Sequence, residues 1–301
     1  MDAKIEEIFN GVYLVDPYLF DSEGYISLYF ITQPKRVLFD VGPSATVERV
    51  IQAIERLGYT GDKIDYVIVS HVHVEHSGGL SKIAAWASNA KLIVSPASVR
   101  HLTDPSKMYQ SYASSFGKFA SLIGDYQPLP HDAIPRVVST LTELPLGDKK
   151  GRIIQFVGHA HHQICLEVDG TLFGADILST QLRINDQFLP TSTPQSFNYT
   201  KYTEDLDAAL ALNLDRLLIS HYGACDNPTD IITRALSSLR WLRYQVESLL
   251  KEGLLAEEVA DTLLKGLRST PPLNDEYARV KAKLNLLGFI NAVIKLRSEK
   301  L

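Results

Sequence analysis

The sequence predicts an α/β protein in which two sheets face each other with helices on the outside, and three observations point there. Apolar, β-branched runs of strand length alternate with segments of helical spacing. Asp40, His71, His159, Asp176 and His221 each sit at or just past the end of such a run. The arrangement occurs in the first half of the chain and again in the second. Two βα-type halves therefore deliver polar groups from strand ends, where the ligand sites of open α/β sheets lie.

Thirty Lys and Arg against thirty-five Asp and Glu give a net charge of −5, which offers no electrostatic footprint for nucleic acid or an anionic membrane. A hydrophobic content of 45% over 301 residues is enough for one large domain or a domain with an appendage. The two cysteines, Cys165 and Cys225, exclude a disulfide framework and fit a reducing compartment. Met1 to Glu7 hold no apolar signal core, and no apolar run approaches spanning length. The expectation is a cytoplasmic protein acting on a small molecule, with neither nucleic acid nor membrane as partner.

Gly11–Val15 and Ile26–Ile31 read as strands around a polar turn at Ser22-Glu23-Gly24. Arg36–Pro43 is a further strand ending in Asp40-Val41-Gly42. Val47, Val50, Ile51 and Ile54 follow at helical spacing, with Ser44 placed as the N-cap. Asp40 has two readings: an orienting partner for a ligand imidazole, or a turn aspartate at the surface.

Ile64–Val69 is an apolar strand that leads into Ser70-His71-Val72-His73-Val74-Glu75-His76-Ser77-Gly78-Gly79, and Leu80–Trp86 reads as a helix. Nine histidines are spread over the whole chain, yet three fall within six residues here, together with Glu75. On an extended segment His71 and His73 point the same way, so both can face one cation. Glu75 and His76, past the bend, can face a second. Imidazole with carboxylate suits zinc, iron, manganese or cobalt, and the lack of local cysteine argues against a closed structural zinc site.

After a strand at Lys91–Ser95, residues 100–135 break the βα rhythm. Asp104-Pro105-Ser106 caps a helical segment with Met108, Tyr109, Tyr112, Phe116, Phe119 and Leu122 on an aromatic-rich face, closed by Pro128, Pro130 and Pro135. This insertion is expected to act as a lid or pocket wall, against the plainer reading of a helix packed on the sheet. The second half begins with a strand at Arg152–Val157 running into Gly158-His159-Ala160-His161-His162. Strands at Ile164–Val168 and Thr171–Phe173 flank an Asp169-Gly170 turn, with Asp176 just beyond. Arg216–Ser220 leads into His221-Tyr222. Cys165 reads as buried and inert, and Cys225 as a packed thiol.

Beyond residue 225, Ile232, Ala235, Leu236, Leu239, Leu242, Val246 and Leu249 recur at helical spacing, as do Val259 and Leu263. Pro271-Pro272 breaks the chain and Asn274-Asp275-Glu276 reads as an N-cap with an acidic first turn. Tyr277, Val280, Leu284, Leu287, Phe289, Ile290 and Ile294 mark a third helix. Residues 1–225 are expected to form the catalytic domain, and 226–301 a helical extension without chemistry-bearing clusters. That extension caps the domain, borders the pocket or contributes a homodimer contact.

His71-x-His73-x-Glu75-His76, Gly158-His159, Asp176 and Ser220-His221, preceded by Leu38-Phe39-Asp40-Val41-Gly42, resemble in order and spacing the ligand set of the metallo-β-lactamase superfamily. The resemblance covers roughly residues 10 to 225. Gly158-His159-Ala160-x-His162 looks like the branch that includes glyoxalase II-like hydrolases and oxygen-binding diiron proteins. It implies a four-layer αββα sandwich with two divalent metal ions, zinc or iron. His71, His73 and His159 would hold the first, Glu75, His76 and His221 the second, and Asp176 would bridge them. The superfamily usually has aspartate at the position of Glu75 and glycine at that of Ala175, so both departures fall on the second metal and the bridge.

The activity implied is hydrolysis of a small thioester, lactone or ester by a metal-bound hydroxide that Asp176 orients, with Tyr222 or His161 as proton donor. His161 and His162 are both candidates to line the pocket, His161 slightly ahead. Two rivals stand beside this reading. One is a non-hydrolytic diiron protein that binds or reduces oxygen, and the other is a metal-binding protein whose altered second site has lost catalysis.

Overall fold

The computed structural model describes residues 1–270 and 275–299. Its chain divides into two compact units, the first comprising Met1–Gln155 with His162–Asp169, the second Phe156–His161 with the described residues from Gly170 onward. Both are mixed α/β, as the sequence predicts. No helix among the described residues is long and apolar enough to cross a membrane.

The first unit contains a seven-stranded sheet that runs in sequence order: β1 (Lys4–Phe9), β2 (Val12–Asp16), β3 (Leu28–Ile31), β4 (Val37–Phe39), β5 (Tyr66–Ile68), β6 (Lys91–Ile93) and β7 (Val137–Val138). The first four pair antiparallel, whereas β4 through β7 are parallel. Helices α1 (Val47–Arg56), α2 (Val74–Ser77) and α3 (Leu80–Trp86) connect these parallel strands. The α1 face of Val47, Val50, Ile51, Ala53 and Ile54 is buried, as its spacing predicts, each large side chain contributing about 1.5–3 kcal/mol. Its N-cap, however, is Thr46. Ser44 lies in the preceding 3-10 turn and donates its hydroxyl to the Asp125 carbonyl instead.

The insertion is helical: α4 (Val99–Thr103), α5 (Ser106–Phe116) and α6 (Ala120–Ile123). Asp104 accepts from the Ser106 amide and hydroxyl at 3.2 and 2.6 Å, fixing the start of α5. Strands β8 (Glu143–Leu146), β9 (Lys149–Ile154) and β10 (Cys165–Val168) complete this unit as an antiparallel set.

In the second unit, β11 (Thr171–Ala175) starts after Asp169 and Gly170, whose φ values of 48° and 74° are those an Asp-Gly turn supplies. A small sheet joins β12 (Leu182–Ile184) and β13 (Gln187–Phe188). Next come α7 (Tyr199–Ala211), β14 (Arg216–Ile219) parallel to β11, and β15 (Gly223–Cys225) antiparallel to β14. The C-terminal region provides α8 (Pro228–Lys251), α9 (Ala256–Leu263), β16 (Leu267–Ser269), which pairs with β12, and α10 (Asp275–Ser298). The α8 face from Ile232 to Val246 is buried as its periodicity predicts. The expected break at Pro271-Pro272 and cap at Asn274 lie outside the described residues.

The face of α10 differs from expectation. Its buried positions are Tyr277, Ala278, Lys281, Ala282, Asn285, Leu286, Gly288, Phe289, Ile290, Ala292 and Val293, while Ile294 is exposed. Two polar side chains, Lys281 and Asn285, thus sit on the packed stripe.

Candidate metal-binding groups

In the first unit the ligand loop is shaped by two parallel strands that end together, with Phe39 of β4 opposite Ile68 of β5. Just past them Asp40, fully buried at φ 61°, takes the Ser70 amide on Oδ1 at 2.8 Å and the Ser70 hydroxyl on Oδ2 at 2.9 Å. Asp40 Oδ2 also lies 2.9 Å from His76 Nδ1. The orienting role considered for Asp40 is what the structure shows. His71 is positioned similarly, its Nδ1 3.0 Å from Ser70 Oγ and its Nε2 3.0 Å from His73 Nδ1. The strand-like entry of His73 (φ −63°, ψ 146°) precedes the single turn of α2, which carries Glu75 and His76. Ligand atoms of His71 and His73, of His71 and His76, and of Glu75 and His76 each lie within 4.8 Å of one another.

Two further groups support this loop. Tyr126 of the insertion meets the Ser77 hydroxyl at 2.5 Å and donates to the Val72 carbonyl, and burial pushes its phenol well above the ordinary range. The insertion is therefore a wall against the motif. His162 is buried and stacks on His71, ring centroids 6.1 Å apart and 13° from parallel.

In the second unit β11 and β14 run parallel and end together, so Asp176 and His221 emerge side by side. Asp176 Oδ2 lies 3.6 Å from both His159 Nε2 and His221 Nε2. His159 Nδ1 donates to the Thr191 carbonyl at 2.5 Å, and the Thr191 hydroxyl donates to the Asp176 carbonyl at 3.0 Å. His159 is seated by the glycine before it: a Cβ on Gly158 would come within 2.2 Å of the Tyr202 backbone. Asp205 of α7 accepts the Gly158 amide at 2.6 Å, and burial raises its carboxyl to about 6. His161 is exposed and His162 is buried. Tyr222 is half-buried beside His221. Cys225 is a packed thiol, raised by burial to about 11.

Ala175 explains one departure noted in the sequence. It is fully buried at φ 48°, where the β11–β14 register shifts. That left-handed conformation is free for glycine and costs an alanine about 1–2 kcal/mol. The backbone bend that aims Asp176 is thus kept without the residue that favours it.

The chemistry of these donors fits divalent metal ions. His71, His76 and His159 each have Nδ1 against an oxygen, which fixes the ring and presents Nε2, the arrangement that orients metal-binding imidazoles. Within the first unit His71, His73, Glu75 and His76, and within the second His159, Asp176 and His221, are the side chains whose chemistry suits such an ion.

The sequence matches the family model of the metallo-β-lactamase superfamily over residues 22–221, and the chain belongs to that superfamily. It is 29% identical over 166 residues to the metallo-β-lactamase fold-containing protein ST1585 of Sulfurisphaera tokodaii, covering 54% of this chain and 62% of that one. An uncharacterised Methanocaldococcus jannaschii protein, MJ0732, is 32% identical over 113 residues, 34% of this chain and 28% of its own length. The chain thus spans less than two thirds of the length of these curated relatives. Among solved structures, ST1585 superposes with a TM-score of 0.65 at 22% identity, over 88% of this chain and 93% of that one. TTHA1429 of Thermus thermophilus gives 0.69 at 14% identity over 98% and 95%. A B3 metallo-β-lactamase with an active-site glutamic acid gives 0.56 at 16% identity over 79% and 89%.

Proposed function

We propose that this chain is a metal-dependent hydrolase of small thioesters, lactones or esters. The observation that supports it best is the anchoring of imidazoles in both units by oxygens of their own unit, Asp40 and Ser70 in one and the Thr191 carbonyl in the other. Rings held this way suit ligation, since metal-binding imidazoles are oriented through their other nitrogen. His71, His73 and His159 would hold one cation and Glu75, His76 and His221 the other, with Asp176 shared between them. Bound divalent ions would supply Lewis acidity, polarising a carbonyl and lowering the pKa of water to about 7. Asp176 would orient the attacking water through its carboxylate, and Tyr222 or His161 would serve as proton donor to the leaving group. A glutamic acid in the active site of a B3 metallo-β-lactamase supports Glu75 as compatible with hydrolysis.

The test is turnover by metal-loaded protein across a thioester, lactone, ester and phosphoester panel, with His73→Ala beside the wild type. The reading expects hydrolysis of at least one acyl class and its loss, with metal, in the variant. Flat rates with metal bound, or full activity in a metal-free His73→Ala protein, would overturn it. A visible band when the ferrous-loaded protein meets air would favour oxygen chemistry instead.

A further inference from the structure

We infer that Tyr126 is a positioning residue for the Glu75–His76 end of the ligand loop, so that the insertion sets the affinity of the cation those two side chains hold. This rests on the reading above in which Glu75 and His76 are metal ligands. They lie on α2, a single turn of four residues with no side-chain N-cap at His73. One helical turn does not hold itself in water, so the direction of its ligands is fixed from outside. One side is fixed from the adjacent strand end: Asp40 takes the His76 ring, and the Val41 amide donates to the His76 carbonyl at 3.0 Å. Both of these act on His76.

Tyr126 fixes the other side. Ser77 has one hydroxyl proton and gives it to the His73 carbonyl at 3.0 Å, so in its 2.5 Å contact with Tyr126 the phenol is the donor. The result is a relay from Tyr126 through Ser77 to His73 that closes the turn from its last residue to its entry. The same phenol oxygen lies 3.4 Å from the Val72 carbonyl. Tyr126 is buried, and burial, with a smaller push from the Glu75 carboxylate, raises its phenol so that the proton stays on. Glu75 is thus within electrostatic reach of the side chain that holds its turn. Linked hydrogen bonds in a buried site reinforce one another.

The phenol can serve as an anchor because the chain around it is itself tied down. A Cβ on Gly124, at φ 84°, would come within 2.7 Å of the Ala45 amide nitrogen, and the Ser44 hydroxyl donates to the Asp125 carbonyl. Beyond Tyr126, the Leu129 amide donates to the Leu102 carbonyl at 2.8 Å. Phe119 packs edge-on against Phe20, ring centroids 6.1 Å apart. The insertion therefore does more than wall the motif. Its tyrosine is a fixed support for the turn, and loss of one oxygen atom there frees the Glu75 side while Asp40 still holds His76 and Ser70.

The test is cobalt(II) titration of the full-length protein stripped of metal, followed by visible absorption against a competing chelator. Glu75→Gln identifies which binding step belongs to that end of the loop. Tyr126→Phe, which removes only the hydroxyl, should weaken that same step about 10- to 100-fold and leave the other unchanged. Ser77→Ala should do the same, and the double variant should bind no more weakly than the weaker single one, because both substitutions break one relay. If Tyr126→Phe does not fold, the Ser77→Ala titration gives the same reading. A tyrosine needed only for packing would lower stability and move neither step, or move both alike. Either result overturns the inference, as do fully additive losses in the double variant. A Tyr126-dependent step in a protein that hydrolyses no acyl substrate would leave the positioning role standing and overturn only the hydrolase reading.

Discussion

The two ligand-bearing units solve one problem by different means. In the first, three imidazoles and Glu75 come from a single short loop, and the side chain of Asp40 on the adjacent strand end orients it. In the second, His159, Asp176 and His221 are scattered along the chain and depend on a main-chain carbonyl at Thr191 and on packing by α7 and α10. A compact motif can be damaged through one supporting side chain. A dispersed set is supported by backbone and is harmed mainly by what moves that backbone.

The largest effect should follow in the first unit. Asp40→Ala removes the partner of His76 and Ser70 and should weaken metal binding about 10- to 100-fold. Thr191→Val in the second unit removes only a hydroxyl, leaves the carbonyl on His159, and should cost about 1 kcal/mol of stability. Chelator competition and chemical denaturation on the two variants measure the contrast, and equal losses of metal affinity would erase it.

Backbone displacement is the matching probe of the second unit. Gly158→Ala forces a Cβ into the Tyr202 backbone and should destabilise by about 1–3 kcal/mol. Metal should be lost alongside, because His159 follows directly. A variant with wild-type stability and metal content would show that α7 does not seat the ligand.

Asp205 gives this support a pH dependence of definite sign. Its carboxyl is raised by burial to about 6 from an ordinary 3.8, partly offset by the Gly158 amide. The folded state therefore holds the proton more tightly than the unfolded chain, and ionisation opposes folding. Wild type should lose stability relative to Asp205→Asn as pH rises from about 4 to about 6, then level off. Urea midpoints across that window measure it, and a constant difference would contradict it.

The smallest effect belongs to Ala175. Glycine there relieves the left-handed strain but adds unfolded-chain entropy worth about 0.4–1 kcal/mol. Ala175→Gly should thus change stability by no more than about 1 kcal/mol, read from the thermal midpoint.

The same contrast governs what was legible in the sequence. The strand before His71 and the α3 helix could be read because local periodicity specifies them, whereas Asp40, open between two readings in the sequence, is decided by its burial against His76. β1 and α7 were missed: half of Lys4–Phe9 is charged and its apolar residues do not alternate, and α7 mixes charged and apolar residues on a poorly defined face. That His161 is exposed and His162 buried is set by tertiary packing, which adjacent identical residues do not encode. Lys281 left a faint signal. Counted in steps of four from Tyr277 to Phe289, it and Asn285 interrupt an otherwise apolar stripe, and a charge in such a stripe is a question the sequence poses without answering.

The proposed function requires that the candidate ligands of each unit take up metal. Elemental analysis of protein purified without oxygen, with His73→Ala and His221→Ala alongside, tests it most directly. The account predicts two equivalents of metal in the wild type and a loss in each variant. A wild type without stoichiometric metal, or a His221→Ala protein that keeps the full complement, would contradict it.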